Sequence, residues 1–302
     1  MPSLSAIVTG GASGIGEAVA TKLASRGVNV TIADLDTKAG EALAKKLESD
    51  FGAAAVFVRT DVSQEDDVKA MVEAAVKRFG RLDFAANCAG VSETVWHEEQ
   101  SITTRDFDRC RDPCQEQSLR VLEVADADSP SLQFRVYSIN AKGVWLCQKH
   151  EAAQMQRQSP RPISLSGPSS SRAIPGQRGS IVHISSVCGL ISQGLGAYTP
   201  AKHAVLGITK NGAKFYGKDQ IRVNAVCPGW VYTPLLEKVM GQQGVAGTAE
   251  TEQSPVLDRI MLGRMSFPEE QASVISFLLS DDSSYINGAH IVVDGGFVDI
   301  HP

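Results

Sequence analysis

The chain has 302 residues, 43% hydrophobic and 21% charged, with 29 basic against 34 acidic side chains and a net charge of −5. This is ordinary globular composition with enough apolar material for a sizeable core, and the acidic balance advertises no nucleic-acid partner. No apolar run approaches the roughly 20 residues needed to span a bilayer, and Met1-Pro2-Ser3-Leu4-Ser5 lacks the charged and apolar regions of a secretory leader; the expectation is a cytoplasmic protein with no membrane partner.

From the N-terminus, short apolar runs alternate with amphipathic segments. Ser5 to Val8 reads as a buried strand, and Gly14 to Arg26 as a helix closed by Gly27. Val28 to Ala33 is the second strand, and Asp36 to Asp50 a helix with Ala39, Leu43 and Leu47 on one face. Ala54 to Arg59 is the third strand, Gln64 to Phe79 a helix ended by Gly80, and Leu82 to Ala86 the fourth strand. Further on, strands at Ser180 to Ile184 and Ile221 to Val226 flank a helix from about Ala197 to Gly217. Pro268 to Leu279 is a helix and Ala289 to Val293 a last strand. Apolar strands alternating with helices imply an α/β fold: a doubly wound parallel sheet covered on both faces, the nucleotide-binding (Rossmann) architecture, in a single domain over residues 1–302.

Two stretches break the rhythm. Cys110 to Arg135 is charged and irregular, and Ser159 to Gln177 is rich in Ser, Pro, Arg and Gly. Neither shows an apolar period, so both are expected to be irregular insertions. Removing the first in thought joins Thr103–Arg109 to Val136–Asn140, with Phe107, Val136 and Asn140 on one helical face at i, i+3 and i+7. The stretch thus looks inserted into a helix, either as a flap beside the site or as untranslated sequence carried into the reading frame; the second is favoured.

Of the six cysteines, Cys88, Cys147 and Cys227 lie in apolar surroundings and all six read as reduced thiols. Cys110 and Cys114 lack a second ligand pair, so no metal is expected.

Thr9-Gly10-Gly11-Ala12-Ser13-Gly14-Ile15-Gly16 lies between the first strand and the first helix. Glycines there let the backbone approach a pyrophosphate, and the helix N-terminus offers free N–H groups. Asp34 ends the second strand, where a carboxylate can accept from the adenosine ribose hydroxyls and repel a 2′-phosphate, which favours NAD over NADP. Asp36 and Thr37 are better placed to cap the following helix, leaving Asp34 for the ribose. Tyr198 and Lys202 stand four apart on a helix and share one face; a nearby ammonium is expected to lower a phenol's pKa. Ser186 lies just after the strand ending at Ile184. All six histidines are read as non-catalytic.

These residues, in this order, resemble the short-chain dehydrogenase/reductase family nearly end to end. Thr9 to Gly16 is similar to its glycine loop, Asp61-Val62 to its adenine contacts, and Asn87-Cys88-Ala89-Gly90 to its NNAG signature with Cys88 as the departure. Cys227-Pro228-Gly229 and Val293-Asp294-Gly295-Gly296 are similar to two later signatures. The resemblance implies Tyr198 as general acid/base, Ser186 on the substrate oxygen, Lys202 on the nicotinamide ribose and on the Tyr198 pKa, and Asn140 holding a proton-relay water. It implies cofactor contacts at Gly10, Ser13, Gly14, Ile15, Gly16, Asp34, Asp61, Val62, Asn87, Ala89, Gly90, Tyr198, Lys202, Pro228, Gly229, Val231 and Thr233. Substrate walls fall at Val91 to Trp96, Val187 to Leu195 and Trp230 to about Met265. Leu190, Ile191, Leu195, Trp230, Leu235, Leu236, Val239 and Met240 make those walls largely apolar, favouring an apolar, cyclic small-molecule alcohol over a sugar. A homodimer or homotetramer, paired through the helices holding Asn140 and Tyr198, is the expected assembly. An NADPH-dependent ketone reductase of the same family and a catalytically silent nucleotide-binding protein are the alternatives.

Overall fold

The computed structural model describes residues 3–92, 130–165, 174–192, 196–237 and 257–298. Seven parallel strands form one sheet: β1 (Ser5–Thr9), β2 (Asn29–Asp34), β3 (Ala55–Arg59), β4 (Phe84–Asn87), β5 (Gly179–Ile184), β6 (Ile221–Pro228) and β7 (His290–Val293), in the order β3-β2-β1-β4-β5-β6-β7. The helices are α1 (Gly14–Ala24), α2 (Thr37–Phe51), α3 (Glu65–Phe79), α4 (Pro130–Tyr137), α5 (Val144–Arg157), α6 (Tyr198–Tyr216) and α7 (Pro268–Leu279). The strand order reverses direction between β1 and β4, and a crevice at the carboxyl ends of the strands is the expected ligand site of such a sheet.

Both sheet faces are covered, which is why the strands read as continuous apolar runs. One face packs Ala18, Val19 and Leu23 of α1, Leu43 and Leu47 of α2, and Ile275 and Leu278 of α7. The other packs Met71 and Val72 of α3, Leu146, Ala152 and Met155 of α5, and Ala213 of α6. Asp36 caps α2, its carboxylate accepting from the Ala39 N–H at 3.0 Å, and Gly80 closes α3 in the left-handed conformation. Among the described residues, no helix is long and apolar enough to cross a membrane.

The predicted strands and helices stand to within a residue or two. The irregular stretch does not. Its last six residues, Pro130–Arg135, are helical and belong to α4. Proline fits the first helical position, where its missing N–H costs nothing, and Leu-Gln-Phe-Arg are ordinary helix formers. The first six residues of the helix leading to Asn140 are therefore ones read as inserted; 110–129, like Phe107, lie outside the described residues. The second stretch is pinned at its ends, where Arg161 and Gln177 form an antiparallel bridge at 2.9 and 2.8 Å; 166–173 lie outside the described residues. Helix α5 was not among the predicted elements. Between α4 and α5 the backbone widens into a π-helix, Ser138–Gly143, that carries Asn140.

At the opposite end of the sheet from the crevice, the buried Arg222 of β6 holds the C-terminus of α7. Its guanidinium donates to the carbonyls of Leu278 (2.9 Å), Ser280 (3.0 Å) and Ile286 (3.2 Å), and its Nε to Gln177 Oε1 (3.1 Å). Burial lowers its pKa to about 10, still far above neutrality. Arg222→Leu removes a charged donor from each of these carbonyls and leaves them only the neutral donors Ser180, Ser283 and Asn224, so a loss of about 2–3 kcal/mol in unfolding free energy is expected by denaturant titration. Unchanged stability would show that other groups can take over the helix end.

Candidate active site

The turn after β1 makes the crevice floor. Gly10 has φ +62, and a Cβ there would lie 2.8 Å from the backbone of Ala89; a Cβ on Gly16 would lie 2.0 Å from the Gly10 carbonyl oxygen. Only glycine permits this left-handed turn and the close packing of α1 beneath it. Ser13 stands at the N-cap of α1 but makes no side-chain capping bond. The cleft is lined by Gly10, Ser13, Gly14, Ile15 and Gly16 from this turn, Asp34, Asp61 and Val62 from the ends of β2 and β3, and Ala89, Gly90 and Thr233 beyond. Eleven of the residues expected to contact a cofactor thus share one cleft.

Asp34 is fixed within it: one carboxylate oxygen accepts from the Ala12 N–H at 3.0 Å, the other from the Asp36 N–H at 3.1 Å. Asp61 accepts from the Ser63 N–H and hydroxyl, at 2.9 and 2.7 Å. A glycine cradle in front of a helix N-terminus, with a fixed carboxylate beyond, fits a dinucleotide.

Six expected cofactor residues are not in that lining: Tyr198 and Lys202, described below, and four more. Asn87 is buried with its side chain turned away from the cleft toward α5, donating to Glu151 at 2.9 Å. Pro228 ends β6, Gly229 packs against Asp294, and Val231 is buried in a bridge to Ser266. Thr60, Cys88, Arg135 and Ile139 line the cleft without having been expected to contact a cofactor. Arg135 was hidden because the start of the helix carrying it was misplaced.

Behind Gly90 the four catalytic candidates converge. A Cβ on Gly90 would lie 3.3 Å from Asn140 Oδ1 and 3.6 Å from Lys202 Nζ. Asn140 grips the backbone of Val91, Oδ1 accepting from its N–H at 2.9 Å and Nδ2 donating to its carbonyl at 2.7 Å. Lys202 Nζ donates to the Ile184 carbonyl at 2.9 Å and lies 5.4 Å from the Tyr198 ring centre. The Ser186 hydroxyl lies near enough to the Tyr198 phenol to favour its ionised form, and it accepts from the Cys188 N–H at 3.1 Å. One expectation reverses here. Burial pushes the Tyr198 phenol above its ordinary pKa rather than leaving it lowered; burial also pulls the neighbouring Lys202 ammonium down to about 8.

On the far side of Tyr198 lies an apolar cluster of Val187, Cys188, Ile260, Met265, Phe297 and Val298, joined by Ile191, Trp230 and Leu236. Ile191, Trp230 and Leu236 were expected here. Leu195, Val239, Met240 and 93–96 lie outside the described residues, and Leu235 lines the cleft instead. Phe297 was missed; it packs edge-on to Trp230 with ring centres 6.5 Å apart. Asp294 fixes its turn, accepting from the Gly296 and Val298 N–H groups at 2.9 Å each.

Comparison with known proteins agrees with this arrangement. The short chain dehydrogenase family model matches residues 5–116, and the Enoyl-(Acyl carrier protein) reductase model matches residues 123–298. The chain therefore belongs to the short-chain dehydrogenase/reductase family, whose members are oxidoreductases that bind NAD(P). It is 36% identical over 297 residues to 2,5-dichloro-2,5-cyclohexadiene-1,4-diol dehydrogenase of Sphingobium indicum, covering 97% of this chain and 96% of that one. It is 36% identical over 293 residues to cis-4-hydroxycyclohexanecarboxylate dehydrogenase of Sinomonas cyclohexanicum, covering 97% and 95%. Among solved structures, levodione reductase superposes with a TM-score of 0.75 at 30% identity, covering 99% of this chain and 98% of that one.

Proposed function

We propose that the chain transfers hydride between NAD(H) and an apolar cyclic secondary alcohol or its ketone. The observation carrying this reading is the convergence of Asn140 and Lys202 behind Gly90 of the dinucleotide cleft, with Lys202 beneath the Tyr198 ring. A bound nicotinamide supplies the hydride chemistry. Gly10 to Gly16 hold the pyrophosphate, Asp34 the adenosine ribose, Asp61 and Val62 the adenine, and Ala89, Gly90 and Thr233 the nicotinamide half. Ser186 donates to the substrate oxygen and orients it. Tyr198 moves the proton at that same oxygen: its raised pKa keeps it protonated at neutral pH, ready to donate to a ketone. Lys202 holds the ribose and adds positive charge near the developing oxyanion. Asn140 has both ends of its amide on Val91, so a relay water would sit on its main chain.

The apolar cluster beyond Tyr198 supports a ring-shaped substrate, and the cyclic alcohols and ketones in the names of the relatives agree. Exposed Phe134, Trp145 and Phe215 on α4, α5 and α6 support pairing of those helices in a homodimer or homotetramer.

The test is turnover against a panel of cyclic secondary alcohols and sugars with each dinucleotide. NAD is expected to exceed NADP in kcat/KM by about tenfold or more, equivalent to about 1.4 kcal/mol. Asp34→Ser combined with Leu35→Arg should reverse that preference. A preference for NADPH in the unmodified protein overturns the Asp34 assignment, and faster turnover of sugars overturns the substrate class.

A further inference from the structure

Asn87 belongs to a buried polar group that the proposed chemistry does not use. Its Nδ2 donates to Glu151 Oε2 at 2.9 Å and lies 3.3 Å from Nδ1 of His183, whose Nε2 lies 3.0 Å from Gln148 Oε1. One tautomer satisfies both ring contacts: Nε2 carries the hydrogen donated to Gln148, and bare Nδ1 accepts the second amide hydrogen of Asn87. Exposures are 2% for Asn87, 0% for Glu151, 0% for His183 and 3% for Gln148. A Cβ on Gly212 of α6 would strike the Gln148 side chain at 2.3 Å, so the helix bearing Tyr198 and Lys202 rests on the same group.

We propose that Glu151 is a positioning residue for the dinucleotide cleft: through Asn87 it fixes the end of β4, from which Ala89 and Gly90 continue into the cleft. This rests on the reading of that cleft as the dinucleotide site. The residues that follow Asn87 already have anchors, Ala89 N–H on Thr9 Oγ1 at 3.2 Å and Val91 on Asn140. Among the described residues, the Asn87 side chain is held from α5 and β5.

The anchor depends on protonation. No cation faces Glu151 among the described residues. β4 presents Asn87, β5 presents His183, and Cys147 lies on α5 itself. α3 turns Met71, Val72 and Ala75 to this layer, and α6 adds Tyr216 at its edge. Burial raises the Glu151 pKa to about 8 and lowers that of His183 to about 3, so the four groups are neutral together near pH 7. Glu151 Oε1 and Asn87 Oδ1 both lack partners, and a proton on Glu151 removes the charge from the unpartnered carboxylate oxygen. Above about pH 8 a lone carboxylate forms in the core, and the end of β4 loosens.

The test is NADH affinity of the full chain, by fluorescence titration across pH, for the unmodified protein, Glu151→Gln and Glu151→Leu. Gln keeps an oxygen for Asn87 and cannot ionise. It should match the unmodified protein near pH 7 and bind at least about fivefold tighter by about pH 9.5. Lys202 titrates in the same range in both proteins, so the difference between the two profiles reads Glu151. Glu151→Leu should weaken binding by about tenfold throughout, raising the KM for cofactor more than it lowers kcat. Superimposable profiles for the unmodified and Gln proteins overturn the proposal, as does unchanged affinity in Glu151→Leu. If the Leu protein does not fold, the Gln comparison alone decides. Failure of the unmodified protein to bind NADH near pH 7 would instead sink the reading of the cleft, and the proposal with it.

Discussion

Tyr198→Phe is expected to lower turnover by about 10²- to 10⁴-fold, the range for loss of a positioned proton carrier, with dinucleotide affinity nearly unchanged. The ring is enclosed among Val136, Ala197, Ala201, Trp230 and their neighbours, and Phe fills the same space. Lys202 keeps its bond to the Ile184 carbonyl, which does not involve the phenol. What disappears is the phenol hydroxyl beside Ser186, the group that can give a proton to a substrate oxygen and be left as a phenolate. Because burial raises the Tyr198 pKa, this proton is not lost on passing through neutral pH, so ketone reduction should stay level until Lys202 deprotonates near pH 8. Lys202→Ala should damage binding and turnover together. Steady-state rates alongside NADH titration separate these outcomes; near-normal turnover in the Phe protein would remove Tyr198 from proton transfer.

The second large effect is expected at Gly16. An alanine there places its Cβ 2.0 Å from the Gly10 carbonyl oxygen, 2.7 Å from its carbon and 3.0 Å from the Gly11 Cα. All three are backbone, so no side chain can swing aside; either α1 withdraws from the sheet or the turn over it lifts. Overpacking of this kind costs about 1–3 kcal/mol of stability. The lifted turn carries the N–H groups that meet the pyrophosphate, so dinucleotide affinity should fall by about 10²-fold, or about 2.7 kcal/mol. Gly207→Ala is the matched control: it lies exposed on α6 with nothing within 4 Å of its Cβ, and it should bind normally and gain roughly 0.5–1 kcal/mol from helix propensity. Equal affinity in the Gly16→Ala and Gly207→Ala proteins would show that the turn tolerates displacement.

The amino-terminal half was legible because its strands are apolar runs bounded by glycines, and because a glycine turn between a strand and a helix has few other uses. Legibility failed where a residue's neighbours misstate its surroundings. Gln148-Lys149-His150-Glu151 reads as a solvated helical face, yet Gln148 and Glu151 point inward while Lys149 pairs with Glu65 at the surface. Asn87 was assigned to the cofactor by its place in a signature. Alternation along an extended backbone sends its side chain to the α5 layer and that of Cys88 to the other face. Pro130–Arg135 was misread because a charged preceding stretch outweighed a good helix start. Phe297 had a signal, an apolar pair directly after two glycines, but only packing against Trp230 gives it meaning.

Strands β4 and β5 lie side by side in register, Asn87 opposite His183, although everything from Cys88 to Arg178 runs between them. For a flexible connection, the chain entropy spent on such closure grows only with the logarithm of its length, about 0.6 kcal/mol for each doubling. A score of residues added to or removed from this crossover therefore changes the free energy of forming the sheet by less than a single ordinary core substitution. Length in this region is a nearly free variable: a lineage can lengthen or trim it beside the reacting centre without retuning the strands that hold that centre in place.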